Sequence, residues 1–197
     1  MTTQTSNTPP SADNIKLGKF VAGALGFEPH VYPYYDKTED NKLSILSLLD
    51  PIDKTVGIYC TIGVSDFPNI INSTNIPVEL LLAAYKEFDK APNILSTCGF
   101  YISKDRFECR PGTVFMRMIE FYYKDTEMKH IYFTEPFLWQ DKLEQLELES
   151  KKVNFLFCIP ISDQELQYKQ ENGDDALESL LQEHEIDFYN INRKSVI

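Results

Sequence analysis

A chain of 197 residues can bury a proper core in one domain, and with 43% hydrophobic and 13% aromatic residues it is too rich in Phe and Tyr to be disordered. The net charge of −11 argues against a nucleic-acid ligand, because neutralising phosphates needs clustered Lys and Arg. Residues 1–10 lack a basic, apolar leader, and apolar runs such as 153–161 fall far short of the roughly 20 residues of a spanning helix, so the expected place is the cytoplasm, off the membrane.

The chain then divides into a polar tail over residues 1–12 and a single domain over 13–197. Leu17, Phe20, Val21, Ala24 and Leu25 recur at helical spacing, with Ser11 or Asp13 as cap and Gly26 as stop. Residues 30–35 read as an aromatic strand that Pro29 and Pro33 push to a sheet edge. Residues 43–48 and 56–64 read as two strands joined by Asp50-Pro51-Ile52-Asp53, and 65–75 as a polar loop holding Phe67. A central strand is expected over 78–84, then a helix with Pro92 in its first turn and Leu95, Cys98 and Ile102 on one face.

In the second half, Pro111-Gly112 is a turn, and 130–133 and 143–148 are candidate strands. Val153, Phe155, Phe157 and Ile159 alternate with Asn154, Leu156 and Cys158, two mostly apolar sets that imply a strand covered on both faces. Pro160 is expected to end this ladder. Ser162-Asp163-Gln164-Glu165 is a capping box flanked by Ile161 and Leu166 as a hydrophobic staple. Gly173 ends that helix, a second one carries Leu177, Leu180 and Leu181, and 186–197 is an extended tail. The fold class is therefore α+β, a mixed β-sheet flanked by helices.

Chemistry is hard to find. There is no GxGxxG, GxxxxGK[ST], HExxH or GxSxG. His30, His130 and His184 lie more than fifty residues apart, and Cys60, Cys98, Cys109 and Cys158 show no metal-ligand spacing. No catalytic residue, metal ligand or cofactor is assigned. Charge is more informative, since residues 141–187 carry 13 acids against four lysines, −9 of the total −11. Such a run is either a solvated surface or a steering surface for a basic partner.

Residues 154–162 with Glu165, and the tail Ile186-Asp187-Phe188-Tyr189-Asn190-Ile191-Asn192-Arg193, resemble the suppressor-of-fused domain, which closes with a strand, a "PIS" step, two short helices and an "ID-hydrophobe-x-x-NR" tail. His130-Ile131-Tyr132-Phe133, Pro136-Phe137-Leu138-Trp139, Leu95-Ser96-Thr97-Cys98 and residues 61–66 are similar to bacterial members. The resemblance covers about residues 14–197 and implies a non-enzymatic, protein-binding role. Bacterial single-domain members are antitoxins or immunity proteins against a polymorphic toxin, often a nuclease. Animal members restrain a transcription factor and have a second domain that this length does not accommodate.

The expected partner is thus a cognate basic toxin, docked on acidic and aromatic groups: Asp66 and Phe67 on the loop, Glu135 and Trp139 further on. The bland alternatives are that Phe67 tucks under its loop and Trp139 packs in the core. Ser162 and Glu165 are structural, and Arg193 is expected to dock the tail by an ion pair. The competing functional readings are a stand-alone adaptor for a host protein and a hydrolase using a carboxylate pair.

Overall fold

A computed structural model describes residues 9–26, 29–38, 41–143 and 145–197. Most of the expected polar tail, residues 1–8, lies outside them. Its last residue, Ala12, opens the first helix, α1 (Ala12–Leu25), where the Ser11 hydroxyl accepts from the Asn14 amide and Gly26 closes the helix in the left-handed region.

Three long strands follow: β1 (His30–Tyr35), β2 (Lys42–Leu49) and β3 (Val56–Ile62). The strand expected over 56–64 ends at Ile62, a 3-10 turn, Val64–Asp66, leads into the expected loop over 65–75, and that loop holds a small hairpin of β4 (Ile70–Ile71) and β5 (Thr74–Asn75). After β6 (Val78–Tyr85) comes α2 (Ala91–Asp105), with Pro92 in its first turn. Then come β7 (Val114–Phe115), β8 (Met128–Thr134), β9 (Leu146–Glu147) and β10 (Lys152–Ser162), and finally α3 (Asp163–Asn172) and α4 (Asp174–Glu183).

The long strands form one mixed sheet in the order β1-β2-β3-β6-β10-β8-β7, with β9 added to the start of β10. β6 and β10 run parallel over Asn154↔Val78 to Phe157↔Leu81, and the other pairings are antiparallel. β1 is indeed an edge, where Pro33 needs no ladder partner on its open side. The strand expected over 143–148 shrinks to β9, because Leu143 is instead buried in a turn whose amide donates to Trp139.

Period-two alternation assigns the core. Leu80, Leu82, Leu156 and Cys158 face α2, which contributes Ile94, Leu95, Cys98 and Ile102. Leu81, Ala83, Phe155, Phe157 and Ile159 face the other way, against Leu17 and Val21 of α1 and Leu177 and Leu181 of α4. The fold is therefore α+β, a mixed sheet with helices on both faces.

Pro160 does not stop β10. It pairs with Ile131, and the strand continues to Ser162. The reason is local: the parallel pairing with β6 ends at Phe157, so no strand asks for an amide proton on that side at Pro160. The Pro160 carbonyl instead accepts from Arg193 Nη2 at 2.9 Å. The last segment, residues 186–197, is a series of turns lying on the domain and not an extended strand.

Candidate functional site

The four sequence-derived contact residues do not converge. Phe67 is half-buried against the cluster that faces α2, whereas Trp139 packs on the opposite face of the sheet. Asp66 is exposed, but it already pairs with Lys151 and accepts from Asn14 Nδ2 at 2.7 Å. Its loop is held from beneath by Glu79, a fully buried acid. The Glu79 carboxylate accepts the Thr61 hydroxyl at 2.5 Å and the amides of Gly63, Ser65 and Val64 at 2.9, 3.0 and 3.3 Å. Burial pushes this carboxyl above its usual range, and hydrogen bonds from Thr61, Ser65 and Gly63 oppose that.

Glu135 is different. It is exposed at the end of β8 and lines a cleft of about 700 Å³. The floor comes from the sheet, through Tyr132, Thr134 and Ile159. One wall is α4, and the Pro111-Gly112 turn and the segments around Phe137 and Phe188 complete the rim. Five carboxylates line it (Glu135, Asp174, Asp175, Glu178 and Glu185), with no Lys, Arg or His among the lining residues. Lys169 reaches Asp174 at 2.7 Å and offsets part of that charge.

Two of these acids are positioned by the fold. Tyr132 Oη and Thr134 Oγ1, both on buried β8 residues, each donate to Glu178 Oε1 at 2.8 Å. Burial, reinforced by the Glu178 carboxylate, pushes the Tyr132 phenol well above its usual range, so it stays a donor. Gly112 (φ +85°) lets Asp174 come close, since a Cβ there would stand 2.0 Å from Asp174 Oδ2.

The cleft is also aromatic. Phe137 and Phe188 meet edge to face at 5.6 Å, and Phe157 beneath them touches both. Trp139 stands on Phe157 at 5.4 Å, behind the cleft and not in it. The acidic run over 141–187 is thus not one face. Glu165 is buried, Asp163 meets His130 Nε2 at 2.9 Å, and Glu147 and Glu149 pair with Lys152 and Lys16. Asp174, Asp175, Glu178 and Glu185 are the part of that run that opens into the cleft. Sequence reasoning missed Glu178, although its spacing from Asp174 and Asp175 puts it on their side of α4, with Leu177 and Leu181 turned to the core.

The structural residues sit at the end of β10. Ser162 and Glu165 complete a capping box, and Arg193 Nη1 and Nη2 reach Glu165 Oε1 and Oε2 at 2.6 and 2.8 Å. All four cysteines are free and buried. Among the described residues no three Asp, Glu, His or Cys gather closely enough to hold a metal ion, and no helix is long and apolar enough to cross a membrane.

Comparison with known proteins agrees with this architecture. The chain is 38% identical over 187 residues to the immunity protein YqcF of Bacillus subtilis (strain 168), covering 94% of this chain and 97% of that one. Its fold matches the suppressor of fused homologue of Neisseria gonorrhoeae FA 1090 with a TM-score of 0.73 at 14% identity, over 93% of this chain and 96% of that chain. Drosophila Suppressor of Fused matches with a TM-score of 0.67 at 12% identity, over 93% of this chain but 51% of that longer one. The family model of the suppressor of fused protein matches residues 39–194, and the chain belongs to that family.

Proposed function

We propose that this chain is an immunity protein that protects its cell by binding a cognate protein toxin in the cytoplasm, without catalysis, and that the acidic cleft is its contact surface. The likeness to YqcF supports the role. The observation that carries the choice of surface is the cleft itself, with five carboxylates, aromatic walls and no cation in its lining. A toxin that cuts nucleic acid needs a basic surface to hold phosphates, and an acidic cleft complements such a surface. A nuclease is therefore the toxin class that fits best. Glu135 belongs to the contact surface, Trp139 supports it from behind, and Asp66 and Phe67 lie outside it.

The test is co-expression with the product of the adjacent upstream gene, scoring survival and co-purification. Rescue together with a stable complex supports the reading, and killing despite the presence of this chain refutes it. A second reading, an adaptor for a host protein, draws on the fold match to a chain of the Sufu–Fu complex, with a TM-score of 0.68 at 12% identity. The same experiment separates the two, because an adaptor leaves the toxin active.

A further inference from the structure

We infer that the cleft receives an extended, lysine-bearing segment of the partner protein, with an ammonium group on Glu178 and its aliphatic stem along Phe137 and Phe188. This rests on the reading of the cleft as the toxin-contact surface and adds the chemistry it selects.

Charge sets the first condition. Lys169 pairs with Asp174, but the other four lining carboxylates have no ion pair among the described residues, and that charge calls for a cationic occupant. Spacing sets the second. No three acidic, imidazole or thiol groups among the described residues gather into a metal-binding set, so the negative charge is strung along the cleft. A chain of spaced cations matches that distribution better than one compact ion does. The walls set the third, because the Phe137 and Phe188 rings, both in the cleft's lining, meet at 5.6 Å. A long methylene stem lies well on such a surface while its charged head stays among the carboxylates, where ring faces also attract the cation.

The choice of lysine over arginine comes from Glu178. Its Oε1 already accepts two hydroxyls, from Tyr132 and Thr134, each at 2.8 Å. Both donors belong to residues almost fully withdrawn from solvent, so displacing them would strand buried hydroxyls. A guanidinium fork binds best when both oxygens of one carboxylate are open. Among the described residues Oε2 has no hydrogen-bond partner, and it is the oxygen left open. An ammonium can use that single oxygen and share its other protons with neighbouring acids.

The test uses the full chain and three six-residue peptides of lysine, arginine or glutamate, followed by titration calorimetry and by the fluorescence of Trp139, the only tryptophan, which stands on Phe157 beneath the cleft. The lysine peptide is expected to bind several-fold more tightly than the arginine peptide, and the glutamate peptide not at all. Glu178→Gln, whose amide oxygen still accepts both hydroxyls, should weaken lysine binding about tenfold. Asp175→Asn, on an exposed position, should also weaken it, with the unfolding midpoint of each variant as control. Arginine binding as tightly as lysine overturns the selectivity, and unchanged lysine affinity in both variants overturns the site. The two readings fail separately. Rescue from the toxin with full toxin affinity in Glu178→Gln removes the cleft and leaves immunity standing. Selective lysine binding without rescue removes immunity and leaves the cleft standing.

Discussion

Arg193 holds Glu165 with both ends of its guanidinium, Nη1 on Oε1 at 2.6 Å and Nη2 on Oε2 at 2.8 Å, with the two residues 7% and 0% exposed. The pair does more than neutralise charge. Glu165 also accepts the Ser162 amide at 2.9 Å and the Val196 amide at 3.2 Å, and Arg193 donates to the carbonyls of Pro160 and Lys194. One ion pair thus joins the end of β10, the start of α3 and the last turns of the chain. Removing one partner leaves a buried charge unmatched, which costs about 3–5 kcal/mol. Arg193→Met and Glu165→Leu should each lower unfolding free energy by about that much in urea titrations. The double variant should fall clearly short of the sum, and additive losses would show that the two residues act independently.

Glu79 plays the matching part under the loop that carries Asp66 and Phe67. Four donors converge on its carboxylate, three of them backbone amides of residues 63–65. In Glu79→Gln, one oxygen becomes an NH2 group, which cannot accept from them. Buried amides then lose their acceptor at about 1–3 kcal/mol each. A loss of at least about 2 kcal/mol is expected in chemical denaturation, together with faster hydrogen exchange at Gly63 and Ser65. Wild-type protection at those amides would place the loop's support elsewhere.

The contrast between these nodes shows what the sequence could tell. The capping box was legible because its residues are contiguous, Ser162 to Glu165, and local rules govern it. The β10 strand was legible because two interleaved apolar sets announce burial on both faces. Pro160 misled because its tolerance depends on where β6 stops, a fact of topology. Glu79 and the cleft were hidden for the same reason. Glu178 meets Tyr132 and Thr134 across more than forty residues, and no spacing rule links α4 to β8. The charge excess over 141–187 located the cleft's wall, but not which acids face it or which are tied to cations.

Acid should weaken the hold on the edge hairpin. Asp36 accepts from Asn41 Nδ2 at 2.8 Å, lies 2.7 Å from Lys104 Nζ at the end of α2, and accepts the Thr38 hydroxyl at 3.1 Å. These bonds, that from Asn41 foremost, hold its carboxyl far below the usual carboxylate range. A depressed folded pKa means the group stabilises the native state above the unfolded value of about 4, and the contribution is lost as pH falls below it. The wild type should therefore lose stability between about pH 4 and pH 2 more steeply than Asp36→Asn. The variant should be the less stable of the two at neutral pH. Parallel acid limbs in the two unfolding curves would rule out Asp36 as a source of the acid sensitivity.

Two charge reversals separate the cleft from the loop. Glu135 lines the cleft, and its carboxylate has no hydrogen bond or ion pair among the described residues, whereas Asp66 is tied to Lys151 and Asn14. Glu135→Lys alters the field a basic toxin meets and breaks no hydrogen bond or ion pair of that side chain among the described residues. Asp66→Lys sets two lysines together and breaks a bond to α1. Steering charges act mainly on association, by about tenfold or more at low ionic strength, and salt screens them over roughly 10 Å at 0.1 M. In stopped-flow binding to the co-purified toxin, Glu135→Lys should slow association about tenfold at low salt, with the difference shrinking as salt rises. Asp66→Lys should instead lower the unfolding midpoint while leaving the association rate within about twofold of wild type. The opposite pattern, slow association for Asp66→Lys and a normal rate for Glu135→Lys, would move the contact surface from the cleft to the loop.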